Sequence, residues 1–210
     1  MIFPSRQKLH QTVEILDEWS IQDFFNARPS PAFNHFEDWC HEISTLTSLR
    51  INHGLTKISV DFGDNNWVIK IPFGNSTNYC QLEAKMYALA HKKGLGEYFA
   101  PCFFYGKIKD IPIYLQRKVE INEELNLDAC YYYMRTLCEN FREHDETDED
   151  FEDRVQENLD YMTDEDAVKA IIGETKGLLS FLYDNDICDL HSGNFGFLNS
   201  NPVIFDYSGI

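Results

Sequence analysis

The 210-residue chain places 43% of its residues in the hydrophobic set, with sixteen Phe, eleven Tyr and three Trp, enough apolar material for a packed core and unlike a disordered chain. Against 18 Lys and Arg stand 35 Asp and Glu, a formal charge of −17, which argues against direct nucleic-acid binding through a broad basic surface. No run approaches the roughly 18 apolar residues that span a bilayer, and "MIFPSRQKLH" lacks the apolar stretch of a signal peptide, so a cytoplasmic protein without membrane contact is expected.

In chain order, Leu9, Val13, Leu16 and Ile21 recur near helical spacing and predict a helix from residue 6 to about 26. Pro29 and Pro31 break it. A second helix is expected over about 35–47, with Phe36, Trp39, Cys40 and Ile43 on one side. From about residue 55 the period shifts toward two: "KISVDF", the turn "GDNN" and "WVIKIPF" read as a hairpin. "NYCQLEAKMYALAHKKG" then carries Leu82, Met86 and Leu89 at helical spacing and stops at Gly94, a fitting C-cap. Two more apolar runs, "CFFYGKI" and "IPIYLQRKV", surround a polar turn at Lys109 and Asp110. The order is strand, strand, helix, strand, strand, which predicts an α+β fold.

Between Glu139 and Asp166 fourteen acidic residues face only Arg142 and Arg154, and such a run reads first as a solvated face. "TDED" (163–166) has the form of a capping box. Behind it Val168, Ile171, Ile172, Thr175, Leu178, Leu179 and Leu182 form a long apolar stripe, predicting a buried helix over 166–183. The six cysteines (Cys40, Cys80, Cys102, Cys130, Cys138, Cys188) are scattered without a C-x-x-C pair and are expected to be reduced thiols. No internal repeat and no Gly/Ser linker divides the chain.

The chemistry-bearing stretch is "DLHSGNFGFLNSNPVIFDYSGI" (189–210). Asp189 and Asn194 flank a step containing Gly193, so a tight loop can turn both side chains toward one point. Asp206 follows twelve residues after Asn194, at the end of an apolar strand. Two short strands joined by a turn bring Asn194 and Asp206 together. A carboxylate and an amide oxygen are hard ligands suited to Mg²⁺ carrying phosphate oxygens, and the other Asp is then available to accept a proton. Taken singly, each residue has a plainer reading: Asp and Asn beside Gly are common in turns, and a lone Lys70 or Glu83 is ordinarily at the surface.

Here the sequence resembles the protein-kinase-like superfamily. "DLHSGN" is similar to the catalytic loop in the form found in aminoglycoside and choline kinases, and "IFDYSG" to the metal-binding D-F-G. "WVIK" is similar to the strand bearing the phosphate-contacting lysine, and "QLEAKMY" to the helix bearing its glutamate. The set covers roughly residues 55–209 in the expected order. It implies a two-lobed protein-kinase-like fold with an N-terminal helical extension (1–50), an N-lobe (51–119) and a minimal, truncated helical C-lobe (120–210). It further implies ATP and Mg²⁺ as cofactors. Lys70 would contact the α and β phosphates, Glu83 would hold Lys70, Asp189 would take the acceptor proton, and Asn194 with Asp206 would hold Mg²⁺. Adenine would meet a hinge within 115–120, with Gln116, Val119 and Glu120 as its candidates.

Three departures qualify the resemblance. The loop that should cover the phosphates, "INHGLTKISVDFG", offers only Gly54 before the second strand. The histidine that often precedes the catalytic Asp by two residues is replaced by Ile187, while His191 follows the Asp as in small-molecule kinases. The resemblance implies a C-lobe without the substrate-selecting segment that follows D-F-G, so the helix expected at 166–183 would need cover from the first fifty residues, a further subunit in a homo-oligomer, or a target protein. Short kinase-like proteins ending in D-Y-S-G occur in tailed bacteriophages, and the chain is similar to these, which implies the host cytoplasm. The implied activity is transfer of the ATP γ-phosphoryl to a protein or small-molecule hydroxyl. Two alternatives stay open: a non-catalytic kinase-like protein that binds and inhibits a host protein through its acidic surface, and a nucleotide-sensing or nucleotidyl-transferring pseudokinase.

Overall fold

The computed structural model describes residues 2–19, 21, 33–54, 56–73, 77–121, 147, 149–150, 153, 176–187 and 192–207. The chain is a mixed α+β protein whose described parts fall into two compact units. One comprises Met1–Lys85 with Pro101–Lys118, and the other Met86–Ala100 with Val119–Ile210. The first fifty residues therefore share a unit with the strands that follow them. Among the described residues no helix is long and apolar enough to cross a membrane.

In the first unit, α1 (Arg6–Glu18) starts where the Ser5 side chain accepts a hydrogen bond from the Lys8 amide at 3.2 Å, satisfying one of the orphan donors of a helix start. Its Leu9, Val13 and Leu16 are fully buried. Helix α2 (Phe33–Leu46) presents Trp39, Cys40 and Ile43 to the same core, and the Trp39 indole N–H donates to the Trp19 carbonyl. The remainder of the predicted 6–26 helix, apart from residues 19 and 21, lies outside the described residues.

Five antiparallel strands follow: β1 (Arg50–His53), β2 (Lys57–Asp61), β3 (Trp67–Pro72), β4 (Cys102–Ile108) and β5 (Ile111–Arg117), in sheet order β1-β2-β3-β5-β4. Helix α3 (Tyr79–Lys92) intervenes in the chain between β3 and β4. Strand β1 precedes the stretch in which alternation becomes visible, because its four residues, "RINH", bury only Ile51. The turn between β4 and β5 holds Lys109 and Asp110 at φ of 49° and 65°, the paired left-handed geometry that matches hairpin twist.

Period-two alternation gives the sheet two different faces. Ile58 and Val60 of β2, Trp67, Ile69 and Ile71 of β3, and Ile111, Ile113 and Leu115 of β5 join α1 and α2 in one hydrophobic cluster. The opposite face carries Ser59 paired with Lys70, and Lys70 paired with Tyr114. Next to that row, Val68 pairs with Gln116 and Gln116 with Cys102. The N-terminal helices thus cover the apolar face, and the polar face belongs to the strand residues and Glu83 of α3.

In the second unit, α3 ends in a paired cap: the Leu95 amide bonds the Ala90 carbonyl at 2.8 Å and the Gly94 amide bonds His91 at 3.1 Å. Gly94 takes φ +79°, a conformation that costs glycine nothing. Strands β6 (Phe195–Leu198) and β7 (Asn201–Ile204) form the predicted hairpin, turning at Asn199 and Ser200 with φ of 54° and 66°. Isolated bridges join Phe99 to Ile204 and Glu120 to Phe197. Phe99 packs edge-on against Phe181 of α4 (Lys176–Asp184) and against Tyr207, at centroid distances of 5.6 and 5.1 Å. The predicted helix at 166–183 is described only from Lys176. The "TDED" capping box, and all of the 139–166 acidic run but Thr147, Glu149, Asp150 and Asp153, lie outside the described residues.

Because Leu16 is wholly buried where α1 meets the sheet, Leu16→Ala should lower unfolding stability by about 2–5 kcal/mol in urea titration. A loss below about 1 kcal/mol would show that α1 is not part of the folding unit of the sheet.

Candidate functional site

The polar face of the sheet is organised around one carboxylate. Glu83, on the first half of α3, has no solvent exposure, and two lysines of the sheet converge on it. Lys70 of β3 places Nζ 2.8 Å from Glu83 Oε2, and Lys57 of β2 places Nζ 2.6 Å from Oε1. Lys57 and Lys70 are themselves 7% and 4% exposed. The register explains the convergence. Ser59 lies directly opposite Lys70 and Lys57 opposite Pro72, so the two lysines are diagonal neighbours on one face, within reach of a shared partner.

The Lys70 and Glu83 that the resemblance pairs are therefore in contact. Lys57 was not singled out from the sequence, where a lysine opening a strand reads as a solvent-facing residue. The available signal was its parity: Lys57, Ser59 and the residue opposite Ser59 share one face, so a buried Lys70 implies a protected environment for Lys57.

Neutral side chains share this face with the triad. Cys102 Sγ lies 3.9 Å from Glu83 Oε2. Burial, with the Glu83 carboxylate beside it, pushes the Cys102 thiol well above its usual range, so it stays protonated. Burial also raises the Tyr114 phenol, whose hydroxyl accepts a hydrogen bond from Asn78 Nδ2 at 3.0 Å. Gln116 is buried on the same face.

The linking segment 117–121 is held by its backbone. The Arg117 amide donates to Pro101 and the Lys118 amide to Asn66, both at 2.9 Å. Glu120 exchanges both of its backbone groups with Phe197, at 2.9 and 2.7 Å. Glu120 is therefore a poor candidate for backbone contact with a base, because its donor and acceptor are already engaged. Val119, one residue earlier, makes no backbone hydrogen bond among the described residues. Gly196 faces this segment so closely that a Cβ there would lie 2.9 Å from Val119 Cγ2 and 3.0 Å from the Glu120 oxygen, so glycine is what allows β6 to approach.

Asn194 and Asp206 occupy the two ends of the β6–β7 hairpin. Asn194 closes a 3₁₀ turn (Ser192–Asn194) and is buried. Its carbonyl accepts from the Phe205 amide at 2.9 Å, which extends the hairpin by one pair and sets Asp206 one residue beyond it. Tyr207 anchors the far side, with its hydroxyl donating to the Ala100 carbonyl at 2.8 Å. The Asn194 amide oxygen and the Asp206 carboxylate, one on each strand end of the hairpin, are hard oxygen donors of the type that Mg²⁺ takes. Among the described residues no group of three or more His, Cys, Asp or Glu is placed to hold a metal ion. Asp189, with His191, lies outside the described residues.

Comparison with protein-family models, with curated proteins and with solved structures returns no match.

The raised Cys102 thiol makes a pH prediction with a definite sign. Above about pH 9 the unfolded thiol releases its proton while the folded one retains it, so stability that is full below that pH is lost as pH rises. Denaturant titrations between pH 8 and 10.5 should show this decline in the wild type and a shallower one in Cys102→Ala. Identical slopes would place Cys102 in contact with solvent.

Proposed function

We propose that the protein is a kinase-like phosphotransferase, with a two-lobed fold whose first lobe holds the sheet bearing Lys57 and Lys70 and the helix start bearing Glu83. The observation that carries this reading is the buried Lys70–Glu83 ion pair joining β3 to the helix that follows it, within a five-stranded antiparallel sheet. A buried ion pair is a poor source of stability compared with apolar residues of the same size. Its presence at the two positions that the ordered motifs single out is better accounted for by anchoring a phosphate-binding lysine.

In this reading Lys70 holds the α and β phosphates of ATP, and Glu83 fixes its ammonium so that little side-chain freedom is lost on binding. Gln116 lines the base end, and the Val119 backbone offers a donor and an acceptor for an adenine edge. Asn194 and Asp206 supply the oxygen ligands for Mg²⁺, which neutralises charge on the phosphate oxygens when bound. Asp189 orients the acceptor hydroxyl and receives its proton. The bond between the acceptor oxygen and the γ-phosphorus forms as the bond from that phosphorus to the β-bridging oxygen breaks, and ADP leaves with the electron pair. Such a reaction depends on positioning and electrostatics more than on covalent participation by the protein. The acceptor is a hydroxyl of a protein or a small molecule.

Incubation with γ-labelled ATP, Mg²⁺ and a bacterial lysate should transfer label to an acceptor. Asp189→Ala should reduce transfer at least a hundredfold while the protein stays folded. Equal transfer by the variant would remove Asp189 from the reaction, and a mass increase of an adenylyl rather than a phosphoryl group on the acceptor would replace phosphoryl transfer with nucleotidyl transfer.

A further inference from the structure

We infer that Lys57 is a second phosphate-binding cation, and that Lys57 and Lys70, both held by Glu83, form a two-lysine cradle for an oligophosphate chain. The inference rests on the nucleotide-binding reading above and adds to it a residue and a mode of recognition.

Two observations lead there. The first is geometric: the two oxygens of one fully buried carboxylate are divided between two lysines on adjacent strands, at 2.6 and 2.8 Å. Holding Lys70 requires only one of those oxygens. Bringing a second ammonium out of water is unfavourable until its lost hydration is replaced, and it sets two like charges side by side. A scaffold role alone would be met at lower cost by an apolar residue at the start of β2. Two cations spaced by a shared carboxylate match successive anionic groups along a phosphate chain, where each makes a charge-assisted hydrogen bond.

The second observation concerns the turn leading into β2. Phosphate chains are commonly cradled by backbone amides of glycine-rich turns. Between β1 and β2 the chain offers only Gly54, and its amide is bonded to the Lys57 carbonyl at 3.0 Å. The backbone at this turn thus contributes less to an anion site than a glycine-rich loop does. Lys57, whose carbonyl closes that turn and whose ammonium reaches Glu83, supplies a side-chain cation at the same place. Because the cradle recognises phosphate oxygens, its ligand class includes nucleoside triphosphates and inorganic tripolyphosphate, which share that chemistry.

The test is calorimetric titration of the full chain with MgATP, tripolyphosphate and adenosine. Lys57→Gln is the main variant, since its amide can still donate to Glu83, and Lys57→Met is the second should the first not fold; circular dichroism checks each. Either variant should weaken MgATP and tripolyphosphate about tenfold or more and leave adenosine unchanged. In a Lys70→Gln background, Lys57→Gln should cost at least about a further fivefold, as expected of two cations that each contact the ligand. Affinities within twofold of wild type would overturn the role of Lys57 and leave the nucleotide reading standing. No additional loss in the Lys70→Gln background would also overturn it, making Lys57 a support for Lys70. Tight tripolyphosphate binding that depends on Lys57, with no gain from the adenosine moiety, would support the cradle and overturn the nucleotide reading. Wild-type protein that binds neither polyphosphate at millimolar concentration would overturn both.

Discussion

The buried carboxylate of Glu83 is the constraint on which the polar half of the sheet depends. It ties β2 and β3 to α3 through Lys57 and Lys70, and all three side chains lie where water does not stabilise their charges. Any departure of α3 from the sheet would separate ions in a medium of low effective dielectric, which is far more costly than separating them at a surface. The ion triad therefore couples α3 to two strands at once through directional, charge-assisted hydrogen bonds.

That arrangement requires the other face of the sheet to be closed by something else. Helices α1 and α2 do so, with Leu9, Val13, Leu16, Trp39 and Ile43 packed among the inward residues of β2, β3 and β5. The sheet behaves as a two-sided element, stabilised by burial on one side and specialised on the other. In the second unit a comparable division holds at smaller scale. The β6–β7 hairpin is fastened by bridges to Phe99 and Glu120 and by the Tyr207 hydroxyl, while Asn194 and Asp206 sit at its open end.

Much of this was legible in the sequence, for reasons that differ by element. The β2–β3 and β4–β5 pairs announced themselves because β-branched and aromatic residues flank turns made of Gly, Asp, Asn and Lys, and α3 because Gly94 stops a helical pattern. The hairpin carrying Asn194 and Asp206 was readable because "LNSNP" interrupts two apolar runs. Strand β1 was hidden by its polar composition, its pairing being set by β2 rather than by its own residues. Lys57 was hidden because burial of a lysine is decided by tertiary context: only the register that sets Ser59 against Lys70, and the arrival of α3 above them, reveals that it faces a carboxylate and not water. The candidate base contacts were resolvable only to a span, since the choice between Val119 and Glu120 turns on which backbone groups β6 has already engaged.

The central claim, that the lysine–glutamate face is a nucleotide-phosphate site completed by a divalent cation, is tested most directly by thermal unfolding of the full chain with and without ATP and Mg²⁺. A ligand at free concentration c that binds only the folded state stabilises it by RT ln(1 + c/Kd), about 2.7 kcal/mol at a concentration a hundredfold above Kd. The account predicts a rise of several degrees in Tm with millimolar ATP, larger when Mg²⁺ is present and abolished in the Lys57→Gln/Lys70→Gln double variant. An unchanged Tm at millimolar ATP, with Mg²⁺ present, would contradict it.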